Sequence, residues 1–254
     1  MAWVTKSSEE HYDAPQEPER VYTRSEKAKN WWYYHKWAVV ITVIVVAIVA
    51  WIAHDILTSV APDYQVGWVG SVSLPEETAT ALQDALAQYA DDRNGDGKIV
   101  VQVNQYVFDL SGSGQSADQT MEAYNKMAGM TRLSADLTDG VNSLFLLEDP
   151  ENFQAMSGAL RYLDGTLPEE GASDWQNMVY RWSDCPVLAG LDLGSYQPMF
   201  ATGETSLSSQ DLLSGAYVGC SGAWNDAQTE NLAASENFWQ ALTAGAQPMS
   251  GGAG

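Results

Sequence analysis

The chain has 254 residues and carries 12 basic against 33 acidic side chains, a formal net charge of −21. Such a surplus repels polyanions and excludes a basic nucleic-acid binder. A hydrophobic share of 45%, with 11% aromatics, excludes disorder of the whole chain, and the length sets a prior of one or two domains.

Residues 1–36 form a polar stretch with Pro15 and Pro18 and no apolar stripe before residue 30, which predicts a largely disordered tail. From Trp37 to Ala53 the 17 residues WAVVITVIVVAIVAWIA contain no charge and one hydroxyl, Thr42. Ile56 and Leu57 extend the run, so residues 37–57 predict a helix of about 30 Å that matches the hydrocarbon core of a bilayer. A buried core helix would show a polar stripe, and a cleaved signal peptide would have a shorter apolar run and a permissive small-x-small site. Here Ser59-Val60-Ala61 is followed by Pro62, so the segment reads as an uncleaved signal anchor.

The flanking charges give the orientation. Between Arg20 and Lys36 the chain carries Arg20, Arg24, Lys27, Lys29 and Lys36 against one acid, Glu26, whereas Asp55 and Asp63 follow the apolar run. The positive-inside rule places residues 1–36 in the cytoplasm and the bulk of the chain outside a cell membrane crossed once. Trp31, Trp32, Tyr33, Tyr34 and Trp37 fit an aromatic girdle at the inner interface, and Trp51 fits an anchor at the outer one.

After a linker, 58–64, residues 65–245 predict a single external α/β domain, followed by a disordered tail, 246–254. From Thr58 onward the chain holds six bases against 26 acids, a net −20. Gln65–Ser73 reads as a first strand. Pro75, Glu76 and Glu77 open a helix with Leu82, Leu86 and Tyr89 on one face, and Ile99–Phe108 alternates as a second strand. A helix bearing Met121, Tyr124, Met127 and Met130, broken around 130–134, leads to the apolar strand Val141–Leu147. The run Ser111–Asp118 between them is a loop. Alternating strands and helices predict a mainly parallel sheet with covering helices. Phe153–Leu163 reads as a short helix and strand, Gly215–Cys220 as one more strand, and Thr229–Ala244 as a terminal helix.

Three groups of residues carry candidate chemistry. Ligands of parallel sheets gather at the carboxyl ends of strands, and those ends offer Ser71, Asp109, Glu148 and Asp149. The string Asp92-x-Asn94-x-Asp96-Gly97-x-Ile99 is similar to the start of a calcium-binding EF-hand loop, with the Lys98 carbonyl as a fourth donor. Its twelfth position is Val103 rather than glutamate. It predicts either a weak calcium site, with a Kd of roughly 10⁻⁴ to 10⁻³ M, or a glycine-rich turn; no other cofactor is expected. Cys185 and Cys220 are the two cysteines, and both lie on the external side, where they form either a disulfide or two buried free thiols.

All three histidines, His11, His35 and His54, lie at or before the membrane segment. That removes Ser-His-Asp and Cys-His catalysis from the external domain, and no Walker A, G-x-S-x-G or G-x-G-x-x-G string is present. Trp68 and the exposed members of Trp175, Tyr180, Trp182 and Trp224 are candidates for stacking on a sugar, or else for core packing.

The strand QVGWVGS, the turn DRNGDGKI, the strand VVQVNQY and the segment VNSLFLLEDPENFQ together resemble the first lobe of maltose-type extracellular solute-binding proteins. The resemblance covers about Gln65–Leu160 and implies a ligand-binding α/β lobe. The expected function is therefore a membrane-anchored binding or interaction module rather than an enzyme, with a small solute or a partner membrane protein as its ligand. The alternatives are an acid-type glycan hydrolase using paired carboxylates and a structural subunit of a membrane complex.

Overall fold

The computed structural model describes residues 23–58, 61–110, 119–198 and 206–249. Residues 1–22, 59–60, 111–118, where a loop was expected, 199–205 and 250–254 lie outside the described residues. The chain divides into two compact units, residues 1–59 and 60–254.

The first unit is one helix, α1 (Arg24–Thr58), of 35 residues and therefore about 52 Å long. It begins well before the apolar run, so residues 24–36 of the expected disordered tail are helical. The reason lies in its first turn. The Thr23 N–H donates to Glu26 Oε2 at 2.9 Å and the Glu26 N–H donates back to Thr23 Oγ1 at 3.4 Å, a capping box that satisfies two end groups reciprocally. The backbone and hydroxyl donors of Thr23 hold the Glu26 carboxyl below its usual range. Beyond this cap the aliphatic side chains are exposed all round the helix, including Ile41, Val43, Val46 and Val49. Among the described residues this is the helix long and apolar enough to cross a membrane.

The second unit is built in chain order from β1 (Tyr64–Gly70), α2 (Glu76–Ala87), β2 (Val101–Val107), α3 (Gln119–Thr138), β3 (Leu144–Leu147), α4 (Pro150–Ser157), β4 (Val179–Arg181), α5 (Pro186–Ala189), β5 (Ser195–Tyr196), β6 (Leu207–Ser208), α6 (Ser209–Leu213), β7 (Tyr217–Cys220) and α7 (Asp226–Leu242). Five strands form one sheet in the order β2-β1-β3-β7-β4. The β1–β2 and β1–β3 pairs are parallel, and the β3–β7 and β7–β4 pairs are antiparallel. The sheet is thus mixed rather than mainly parallel in its pairing: β7 runs against the other four strands. β5 and β6 make a separate two-stranded ribbon.

Side-chain alternation divides the core into two layers. Val66, Trp68, Leu144, Leu146 and Val218 face one layer with Leu82 and Leu86 of α2 and Phe238 and Leu242 of α7. Val69, Tyr106, Phe145, Leu147 and Val179 face the other with Leu133 of α3 and Phe153 of α4. Period-2 strands sandwiched between helices require this arrangement, because each sheet face must be covered. At Gly67 the backbone passes so close to neighbouring rings that a Cβ would stand 2.6 Å from the Phe145 ring and 3.3 Å from Tyr106.

Several local expectations change. α3 is continuous through 130–134. On it Tyr124 and Met127 are exposed, Leu133 is buried, and Met130 and Leu137 are partly buried against the core. The Met121 side chain lies outside the described residues. Gly129 seats α3, since a Cβ there would come within 2.6 Å of the Phe108 ring. Leu82 and Leu86 of α2 are buried, whereas Tyr89, two residues past its end, is 39% exposed. The expected disordered tail is in place through residue 249, where the Gln247 N–H donates to the Asp184 carbonyl at 3.1 Å.

Candidate functional site

β1 is flanked by β2 on one side and β3 on the other, so the strand order reverses at its carboxyl end. In open α/β sheets a ligand crevice forms at such a point. Here two of the expected site residues meet. The Ser71 N–H donates to Glu148 Oε2 at 2.5 Å, and the Ser71 hydroxyl lies 3.0 and 2.8 Å from the two carboxylate oxygens. Gly70 allows this approach, because a Cβ there would lie 2.9 Å both from Glu148 Oε2 and from the Trp68 ring.

Asp149 is drawn away to another task. It caps α4, accepting from the Asn152 N–H at 3.0 Å and from the Asn152 side-chain amide at 2.7 Å, with Pro150 next in the favoured first helical position. Asp109 follows β2 by two residues. Ser71 and Glu148 thus meet each other, and Asp149 is engaged as the cap of α4.

The Asp92–Ile99 turn is held by its own backbone. Asp92 accepts from the N–H groups of Gly95 and Gly97, Asn94 from that of Asp96, and Asp96 from that of Lys98. Gly95 and Gly97 both have positive φ, 74° and 83°, the conformation for which glycine is suited. No group of three or more His, Cys, Asp or Glu side chains placed to hold a metal occurs among the described residues.

The residue that organises this turn is Asp63, which is only 4% exposed. Its carboxylate accepts from the N–H groups of Arg93, Asn94 and Val100 at 2.8, 3.0 and 2.8 Å. Burial alone would raise its pKa, but these donors outweigh it and bring it below the ordinary 3.8. Sequence spacing gives no sign of this, since the carboxylate and its donors are about thirty residues apart.

Cys185 and Cys220 are free and buried, the second of the two states open to them. Burial pushes each thiol up to about 12, which leaves them protonated and unreactive. Beside Cys220 the guanidinium of Arg161, 8% exposed, donates to Glu236 Oε2 at 2.8 Å. Desolvation would lower the Arg161 pKa, but Cys220 and Glu236 raise it overall.

A wide concavity lies elsewhere. A cleft of about 1090 Å³ lies among α3, α4, the 168–175 segment and the residues leading into α7. That volume stands at the top of the usual range for small-molecule sites, roughly 300–1,000 Å³. Met130 and Leu137 of α3, Met156 of α4, Trp175 and Trp224 give it apolar walls, and Glu151, Glu169 and Glu170 supply carboxylates. No lysine, arginine or histidine is among its described lining residues.

Local chemistry fixes each wall. α4 ends at Gly158 in a left-handed turn, φ 60°, and its buried Gln154 accepts from the Leu160 N–H at 3.0 Å. The 168–175 segment is tied down at its end. Asp174 accepts from the Tyr162 hydroxyl at 2.9 Å, and Trp175 meets Tyr217 edge to face at 5.6 Å. The Asn177 amide, with Tyr162, holds the Asp174 carboxyl below its ordinary range against the opposing effect of desolvation. Asn225 and Gln228 form a capping box at the start of α7. Gln228 also accepts from the Trp224 N–H at 2.6 Å and donates to the Leu137 carbonyl at 2.7 Å, so the aromatic wall is fastened to α3.

Of the aromatic candidates, Trp68 and Trp182 are buried in the core and Trp224 is 52% exposed. Trp68 also donates its ring N–H to the Val72 carbonyl at 3.0 Å. Sequence reasoning passed over Glu151, Glu169 and Glu170. The Pro168-Glu169-Glu170-Gly171 string, a proline–glycine-bounded acidic turn ahead of Trp175, was the available signal.

Comparison with models of protein families, with curated proteins and with solved structures finds no match.

Proposed function

We propose that this chain is a single-pass membrane protein whose acidic α/β unit, outside the membrane, binds a ligand and catalyses nothing. One observation carries the anchor: α1 exposes aliphatic side chains on every side over a length that matches a bilayer. Such a surface needs an apolar environment, because exposed patches of this extent are not stable in water. The basic residues Arg24, Lys27, Lys29 and Lys36 at its start favour a cytoplasmic position for that end.

Two features support binding over catalysis. Ser71 and Glu148 are spent on each other at the strand switch point. The open cleft is walled by apolar side chains and carboxylates, without a histidine or lysine among its described lining. The likeness to a solute-binding lobe agrees with this reading and supplies no ligand.

Protease added to intact cells tests the anchor: the α/β unit should be digested and the first thirty or so residues spared. Protection of the α/β unit overturns the orientation. Purified full-length protein should hydrolyse no member of a glycan panel, and turnover abolished by Glu151→Gln or Glu148→Gln would make it an enzyme instead.

A further inference from the structure

We infer that the cleft beside α3 and α4 is a site for a small organic cation with an apolar body; the inference rests on the binding reading above and names its ligand class. The argument begins at Trp224. Its ring lies over Gly222, where a Cβ would stand 2.4 Å from the indole and 2.8 Å from Leu167. The absence of a side chain at 222 is what lets the indole lie down beside Leu167. Both residues stay exposed, Trp224 at 52% and Leu167 at 48%, although the chain buries comparable side chains such as Trp68 and Trp182 elsewhere. Capping contacts from Gln228 hold the Trp224 backbone in place, so the aromatic surface is presented rather than left over.

Charge selects the kind of ligand. The same cleft carries Glu151, Glu169 and Glu170 and no base among its described lining residues. These carboxylates belong to a chain segment, Thr58 onward, whose net charge is −20. An anion entering this site meets like charge at every step, and a neutral solute can draw only hydrogen bonds, not charge attraction, from the carboxylates. A cation gains from both the carboxylates and the indole face, whose ring quadrupole attracts positive charge. Met130, Met156 and Trp175 then offer soft apolar contact for the body of the ligand. A compact inorganic cation would leave those walls unused.

Phenyltrimethylammonium is the probe. Full-length protein in a neutral detergent is titrated calorimetrically with it, with the neutral benzyl alcohol and with the anionic benzenesulfonate. Expected is saturable binding of the cation alone, weakened at least tenfold by Trp224→Ala and by the combined change Glu151→Gln, Glu169→Gln, Glu170→Gln, and weakened by added salt. Far-ultraviolet dichroism of both variants shows that they are folded, and Trp224→Phe should restore most of the affinity, because it restores an aromatic face. Equal affinity for benzyl alcohol, binding unchanged in the variants, or no binding of the cation each overturns the inference. Failure here leaves the protease and glycan outcomes untouched, and glycan turnover would sink the binding reading without altering this titration.

Discussion

Ser71 and Glu148 lie 77 residues apart in sequence and are joined by three hydrogen bonds, two from the serine hydroxyl and one from its backbone N–H. They link the ends of the adjacent parallel strands β1 and β3 at the point where the strand order reverses. The carboxylate thereby works as a clamp between strands. Replacing Glu148 with Gln keeps the shape and removes the charge-assisted acceptor. It should cost about 1 kcal/mol for a group at the surface, a fall in Tm of about 2–4 °C for a unit of this size. Calorimetric melting of the variant checks it; an unchanged Tm would mean the clamp is worth nothing.

Asp63 predicts a defined pH dependence. Its folded pKa lies below the ordinary 3.8, so the unfolded chain takes up its proton first as pH falls. The stability it contributes is fully present above the unfolded value and disappears as pH drops through the folded one. Asp63→Asn should therefore destabilise by about 2–3 kcal/mol at neutral pH, since a buried charged acceptor of three N–H groups is lost. Urea unfolding of both proteins from pH 6 downward should show the gap closing below roughly pH 4. A gap that is constant with pH would show that the charge is not its source.

Gly67→Ala is expected to strain the centre of the sheet. A Cβ at 2.6 Å from the Phe145 ring forces that ring or β1 to move, with a cost of about 1–3 kcal/mol for overpacking. Adding Phe145→Leu should recover part of the loss, because it removes the ring that the methyl meets. Denaturant midpoints of the single and double variants decide the matter, and simple additivity of the two costs would argue against a direct clash.

The two thiols should react slowly in the folded protein and quickly once it is unfolded. Both are buried and pushed up to about 12, so little thiolate is present near neutral pH. Mass analysis after alkylation under non-reducing denaturing conditions should find two modified cysteines. A species lacking both adducts and lighter by two hydrogens would instead reveal a bridge.

The sequence by itself determined the elements whose signal is local. An uncharged run from Trp37 to Ala53 leaves no choice but an apolar helix; β3 was legible as a continuous apolar run, β1 by its β-forming residues and β2 by its alternation. The early start of α1 rested on Thr23 and Glu26, a spacing that is readable but was overshadowed by the polar composition around it. That a helix carries Tyr124, Met127 and Met130 was legible, but how it seats was not, because the seat is Gly129 against Phe108, a contact between two separate elements.

Only the tertiary structure decided the rest. The antiparallel entry of β7 between β3 and β4 is a pairing choice made by long-range contacts, and a four-residue apolar strand carries no mark of its direction. Asp63, Ser71 with Glu148, and the cleft around Trp224 are likewise meetings of groups far apart in the chain. Hydropathy and spacing report what a residue prefers over a few turns of chain. Which donors a carboxylate finds, and whether an indole is covered, depend on how the layers close around it.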